Sequence, residues 1–493
     1  MKTTFYATTL LICLFCVLSP VRGDTERPNI ILIFTDDQGY EDLGCFGSKS
    51  IKTPHLDQLA GEGMKFTHFY AQPICGPSRA AIMTGCYPMR LAEQGNKKNV
   101  HPVLHDSEVT VAELLQKADY TTACIGKWDL ATHSQTAFVP ELMPNYQGFD
   151  FFFGTPSSND QIVNLYRNEE LIQKSEPMAT LTKKYTDEAV HFIKQSVEAE
   201  RPFFLYIPHT MPHTKLAASE EYLGKSKRGI YGDVIEEIDG SVGRIVDTVK
   251  QLNLEKETWI FYTSDNGPWL VKNKDFADGS LPGDHGGSAG PLRSGKVSTW
   301  EGGVRVPMIA WAPGRIPAGK VCDRLATTMD FFPTFGKLAG IDLPDDRVID
   351  GSDISHLLQG DFDKADNNKT YYYYFLSHLQ AVRNGPWKLH LARPQHPEWL
   401  GRHSKNRHIH ASDDIGFPEP VLYHLLQDPG ETNDMAAENP EVVQKLLALA
   451  EAAREDIGDH DRVGKNMRFF DPASPRPTEL HTNFARPAPR KAR

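Results

Sequence analysis

The chain has 493 residues, with 53 Lys+Arg against 64 Asp+Glu, and its formal net charge of −11 argues against nucleic-acid binding, which calls for a basic footprint. Hydrophobic residues at 40 % and charged residues at 24 % are ordinary globular values, so disorder, collagen and coiled coil are excluded as the main class. A chain of this length is expected to hold one large domain and a smaller one, and it can bury a deep active site.

Lys2, the apolar run over residues 10–18 and Val21-Arg22-Gly23 before Asp24 read as an export signal spanning 1–23. That run is too short to cross a bilayer, and no later stretch reaches the roughly 20 apolar residues a spanning helix needs, so a periplasmic or secreted protein without a membrane span is expected. Cys45, Cys75, Cys86, Cys124 and Cys322 remain after cleavage. They are odd in number, sparse and without zinc-type spacing, so at least one is unpaired and one of them is a candidate for special chemistry.

From residue 24 to 365, short apolar runs end in polar residues. Residues 29–34 lead into Thr35-Asp36-Asp37, and residues 122–125 into Gly126-Lys127. Residues 203–207 lead into Pro208-His209 and then Pro212-His213, and residues 258–262 into Ser264-Asp265-Asn266-Gly267. Strands buried on both faces have this pattern. Between them, Thr186-Asp187-Glu188 predicts the cap of a helix running to about Val197, and Val234, Ile238, Val242, Ile245 and Val249 mark one face of another. The alternation predicts an α/β fold, a mostly parallel sheet sandwiched by helices, with ligands outside the carboxyl ends of the strands. Over 366–460 the texture becomes that of a smaller C-terminal α+β domain. Residues 371–375, 381–391 (broken by Asn384-Gly385-Pro386) and 421–425 read as an antiparallel sheet, and Asn439-Pro440 opens a helix to about Ile457. Residues 461–493 form a Pro/Arg-rich tail in which nothing predicts regular structure.

The most specific signal is Pro73-Ile74-Cys75-Gly76-Pro77-Ser78-Arg79-Ala80-Ala81-Ile82-Met83-Thr84-Gly85. It resembles, position for position, the signature of the type I sulfatases of the alkaline phosphatase superfamily, in which the cysteine is oxidised to formylglycine (3-oxoalanine). The resemblance runs from Asn29-Ile30-Ile31 to Leu422-Tyr423 and Asp428-Pro429-Gly430-Glu431. It implies the alkaline-phosphatase-like fold, a formylglycine-generating maturation enzyme as partner and hydrolysis of sulfate esters, as in bacterial exported polysaccharide and aryl sulfatases. A lone cysteine at a helix start is more often a buried structural thiol; Pro77 and Arg79 beside it count against that here.

The chemistry agrees. Attack at sulfur needs a nucleophile, cations to hold the anion and an acid for the departing oxygen. A serine would end as a stable ester. A hydrated aldehyde has two hydroxyls on one carbon, so one can attack and the other, on losing its proton, can expel sulfate. Pro77 suits the opening turn of a helix, which places Cys75 where amides and the helix dipole favour an anion. Asp36, Asp37, Asp265 and Asn266, with an oxygen of modified Cys75, make an all-oxygen site for a hard cation; the resemblance implies calcium, with magnesium as the alternative. Alone, each pair would read as a helix cap or a turn. By resemblance, Arg79 steadies the hydrate, Lys127, Lys296 and His213 grip the sulfate, and Lys296 or His213 protonates the departing oxygen. Glu301 and Arg305 read as architectural, and His209 and His285 equally as substrate contacts or structure.

One departure matters. The family's second signature runs Gly-Lys-Trp-His, whereas this chain has Gly126-Lys127-Trp128-Asp129, and Asp119 replaces a usual glycine before Tyr120. Asp129 is expected to act as the base that frees sulfate, with His133 the nearest alternative in sequence. For the substrate, Arg393, Arg402, Lys405 and Arg407 with His396, His403, His408 and His410 face Glu398 alone. The segment reads as a solvated loop or as subsites for a polyanionic glycan, with Trp399 stacking on a sugar; the domain's place beside the active site in the family favours the glycan. The leading expectation is a carbohydrate sulfatase. Its alternatives are a phosphoester or phosphonate hydrolase on the same scaffold and a catalytically silent binder of sulfated glycans.

Overall fold

The computed structural model describes residues 27–91, 104–131, 139–159, 162–270, 286–393 and 416–468. The export signal, His133, His285, the basic segment beyond Arg393 and the tail from residue 469 lie outside them. The larger sheet holds β1 (Asn29–Thr35), β2 (Met64–Tyr70), β3 (Thr121–Lys127), β4 (Phe151–Thr155), β5 (Leu165–Arg167), β6 (Glu170–Gln173), β7 (Phe203–Pro208), β8 (Thr258–Ser264) and β9 (Arg305–Trp311). Their spatial order is β2-β9-β8-β1-β7-β3-β4-β5-β6, with Lys320–Cys322 outside β2.

The central strands β8, β1, β7, β3 and β4 are parallel, and β9 runs antiparallel to both its neighbours. Every residue of β1, β7, β8 and β9 is buried, because helices cover both faces. Alternate residues serve opposite cores: Ile30, Leu32 and Phe34 join Phe261, Phe331 and Phe335, whereas Ile31 and Ile33 join Ile207, Ile238 and Val242. The second face is covered by the helices Leu181–Glu198 and Gly229–Gln251.

The first of these helices begins five residues before the predicted cap. Leu181 and Tyr185 extend its apolar stripe backward, and Thr186 is buried inside it, its hydroxyl donating to the Thr182 carbonyl at 2.6 Å. A Thr-Asp-Glu run inside a long amphipathic helix mimics a start signal, and packing overrides it.

The smaller sheet orders Thr370–Phe375, His378–Asn384, Trp387–His390 and Val421–His424 as an antiparallel series. Leu446, Ala450 and Ala453 of the helix Pro440–Asp456 share its core with Tyr70, Ala81 and Val304 of the larger unit. Arg393 departs from the reading as a loop or glycan-facing cation. It is buried, donates to the carbonyls of Gln380 (2.8 Å) and Leu391 (3.1 Å), and lies 4.9 Å from the Phe417 ring centre.

Candidate active site

Four parallel strands deliver their polar ends to one place. Thr35 of β1 is in register with Ser264 of β8, so the next residues, Asp36-Asp37 and Asp265-Asn266, emerge side by side. The Asp37 amide donates to Asp265 Oδ1 at 3.1 Å, and Asn266 Nδ2 donates to Asp37 Oδ1 at 2.7 Å. Lys127 closes β3, and His209 and His213 follow β7. Helix Cys75–Thr84 starts at Cys75 itself, carries Pro77 in its first turn, and ends at Gly85, whose φ of 70° lets its amide close onto the Ala81 carbonyl.

Within this cluster, positive and negative groups alternate. Arg79 is fully buried and ties two strand ends together, its Nη2 lying 3.0 Å from Asp36 Oδ2 and 2.9 Å from Asp265 Oδ2 while Nη1 donates to the Lys127 carbonyl at 2.7 Å. Lys127 Nζ sits 2.6 Å from Asp36 Oδ2, and Lys296 Nζ 2.6 Å from Asp37 Oδ1. His213 Nδ1 donates to the Thr214 carbonyl at 2.6 Å, which leaves Nε2 facing Asp37 Oδ2 at 3.8 Å. Asp129 lies in the turn after β3 with φ 56°, its Oδ2 3.8 Å from Lys127 Nζ.

Electrostatics follow from this crowding. Burial alone would raise the Asp36 carboxyl, but Lys127, His213, Arg79 and Lys296 together hold it well below the usual range. Burial, reinforced by Asp36, pushes Asp265 up to about 8. Burial also pushes the Cys75 thiol well above its ordinary value, with Lys127, Asp129, Lys296 and Asp36 the charges close enough to act on it. A thiol held protonated in this way is a poor nucleophile as it stands. Burial, then Lys296, lowers His213, whereas Asp37 keeps Lys296 charged despite its burial.

The donor set fits a hard cation. Asp36 Oδ1, Asp37 Oδ2 and Asn266 Oδ1 are buried oxygens without a hydrogen-bond partner, and such atoms call for a positive occupant. Asp36, Asp37 and His213 each place a possible ligand atom within 4.8 Å of the others, so His213 borders the same site.

The structure therefore brings Asp36, Asp37, Cys75, Arg79, Lys127, Asp129, His213, Asp265, Asn266 and Lys296 together. His209 is buried just below them, against Tyr185, and burial lowers it to about 4. The sequence reading missed the end of β4, where Ser157 and Asn159 lie buried and Asn159 Nδ2 donates to the Thr210 carbonyl at 3.3 Å. The signal was available: an apolar Phe151-Phe152-Phe153 run leading into Thr155-Pro156-Ser157-Ser158-Asn159 repeats the pattern of the other strand ends.

Comparison with known proteins adds to this geometry. Residues 28–341 match the family model described as Sulfatase, and residues 366–477 the one described as C-terminal region of aryl-sulfatase. The chain is 35 % identical over 489 residues to N-acetylgalactosamine-6-sulfatase of Canis lupus familiaris, covering 90 % of this chain and 89 % of that one. It is 34 % identical to steryl-sulfatase of Homo sapiens, covering 87 % and 88 %. Among solved structures, the PsFucS1 sulfatase from Pseudoalteromonas sp. superposes with a TM-score of 0.73 at 27 % identity, over 86 % of this chain and 89 % of that one. A phosphonate monoester hydrolase of Agrobacterium radiobacter shares the fold at a TM-score of 0.57 and 20 % identity, over 86 % and 96 %.

Proposed function

Because this chain belongs to the sulfatase family and is a sulfuric ester hydrolase, we propose that it desulfates a sulfated carbohydrate, as an exported protein, with formylglycine made from Cys75 as its nucleophile. The observation that carries this reading is the position of Cys75, first residue of its helix, among Lys127, Lys296, Asp129 and Asp36. The names of similar proteins, N-acetylgalactosamine-6-sulfatase among them, support a sugar ester.

Asp36, Asp37, Asp265 and Asn266 would hold a calcium ion, with magnesium the alternative. Bound there, the ion supplies positive charge that favours the ionised form of an oxygen on the modified side chain. The hydrated aldehyde supplies the oxygen nucleophile that the protonated thiol lacks.

The remaining steps belong to the chain's own groups. Lys127 and Lys296 hold the sulfate oxygens, and Arg79 fixes the carboxylates around them. Of the two groups able to protonate the departing oxygen, Lys296 is the one already charged, whereas burial and then Lys296 push the His213 imidazole below its ordinary value. Asp129 takes the proton whose loss expels sulfate. Among the described residues, no helix is long and apolar enough to cross a membrane.

The test is direct. Mass spectrometry of the Cys75 peptide from protein matured with its oxidising partner should show the aldehyde, and ion chromatography should detect sulfate from a hexosamine 6-sulfate, with far slower release of phosphate from the matching phosphate ester. Cys75→Ala should abolish both. Full desulfation by that variant overturns the reading, and faster phosphate release would move the protein to the phosphoester alternative.

A further inference from the structure

Beside the cations of the active site lies a small apolar patch, separate from the three main cores. Val297 and Phe375 are buried in it, and Ile74, Trp269 and Leu376 pack against them. It is assembled from four segments, three of which carry site residues. Ile74 immediately precedes Cys75, Val297 follows Lys296, and Trp269 lies three residues beyond Asn266. Phe375 and Leu376 arrive from the end of the first strand of the smaller sheet. The segments are tied together, since the Val297 amide donates to the Pro73 carbonyl at 2.8 Å and the Lys296 amide to the Pro268 carbonyl at 2.9 Å.

Two members of the patch adopt left-handed backbone, Val297 with φ 70° and Leu376 with φ 52°. For a β-branched or bulky side chain this conformation is a true outlier, and such strain clusters at ligand sites, where surrounding structure enforces it. Among the described residues, the cluster's two buried members gain little from packing, which does not by itself account for two strained residues in it. Ile74 and Leu376 also line a small cleft with Pro77, Met89 and Tyr374.

The direction of the patch follows from Lys296. Its Nζ lies 2.6 Å from Asp37 Oδ1 and 5.3 Å from the ring centre of the half-buried Trp269. An ester whose departing oxygen meets Lys296 can lay its first ring over the indole beside it. We propose that Trp269, flanked by Ile74 and Leu376 and backed by the buried Val297 and Phe375, is the subsite for the sugar ring that carries the sulfate, the indole stacking on the C–H face of an uncharged hexose. This rests on the carbohydrate sulfatase reading. The five side chains offer no charge, so they suit a neutral ring with an apolar face.

Kinetics with an N-acetylhexosamine 6-sulfate, whose ring carries no charge besides the ester, test the assignment. Trp269→Ala should raise KM about 10-fold or more with kcat within about 2-fold, while Trp269→Phe keeps most of the affinity. Inhibition by inorganic sulfate, which occupies the polar site alone, should change less than about 2-fold in both variants. Calorimetry of the same sugar and of inorganic sulfate on a Cys75→Ala background repeats the comparison without turnover. Unchanged sugar affinity in Trp269→Ala overturns the subsite, as does an equal loss for sugar and sulfate, which would mean that Trp269 only holds Lys296. If the parent protein binds the sugar but releases no sulfate, the functional reading fails while the subsite stands; if it does not bind the sugar, both fall.

Discussion

Asp129 is where a single residue decides most. Its carboxylate has replaced an imidazole, and the structure places it 3.8 Å from Lys127 and within electrostatic reach of Cys75. A carboxylate beside a bound sulfate would be repelled by it, and Lys127, next to Asp129, would relieve that repulsion. Asp129→Asn keeps the shape and removes the proposed base. The expected outcome is a burst of alcohol equal to the enzyme present, followed by turnover slowed about 100-fold or more, read by parallel assays of alcohol and sulfate. Unchanged steady-state sulfate release would assign the base elsewhere. The sequence also showed Asp119 where a glycine is usual, and the structure supplies the physical reason: its φ of 64° is a conformation glycine adopts without cost and aspartate tolerates better than most. The strain at Val297, by contrast, has no sequence signal, because nothing in Lys296-Val297-Ser298 announces a left-handed valine.

Elements were legible where both faces are apolar and where a polar pair closes the run. Strands β1, β3, β7 and β8 met that condition, and so did their site residues. Strand β2 did not: Lys65 and Thr67 alternate with Phe66 and His68, which reads as an amphipathic surface strand rather than one paired in the larger sheet. Nor can a chain-order reading find that β9 returns antiparallel between β8 and β2, because that pairing is set by sequence-distant contacts. The strand ends carry a prediction of their own. β1 and β8 are adjacent and their carboxylates converge, so without a cation the repulsion among Asp36, Asp37 and Asp265 falls on these two strands. Chelation should lower the thermal midpoint by several degrees and abolish sulfate release. Calcium should restore both more fully than magnesium, as followed by scanning calorimetry; a midpoint indifferent to chelator would remove the cation from the account.

At the scale of the whole molecule, the two sheets are joined through buried ionisable groups rather than apolar contact alone. Glu301 accepts from Tyr373 Oη at 3.0 Å and Lys388 Nζ at 3.1 Å, and Lys388 Nζ lies 2.8 Å from Glu431 Oε1. Glu431 Oε2 in turn accepts the Glu301 amide at 2.7 Å. Such groups make stability depend on pH, and the signs can be worked out. Burial holds His209 down to about 4 and His68 to about 3, so below their ordinary value of 6.5 the unfolded chain takes up protons that the native state refuses, and stability falls as pH drops from there. Burial raises Asp42 and Asp239 to about 6, and burial with Glu301 raises Glu431 to about 7 against Lys388. These carboxyls keep their protons in the native state where the unfolded chain has lost them, so their contribution is present below about pH 4 and is lost as pH rises from there through 6 to 7. The two trends therefore oppose each other over the same range, about pH 4 to 6.5, and should leave the urea midpoint changing only shallowly there. His209→Gln removes part of the histidine trend, so its midpoint should fall more steeply than the parent's as pH rises from about 4 to 6.5 and follow the parent's slope above about pH 7. An unchanged slope between about pH 4 and 6.5 in that variant would show that His209 does not contribute to the balance.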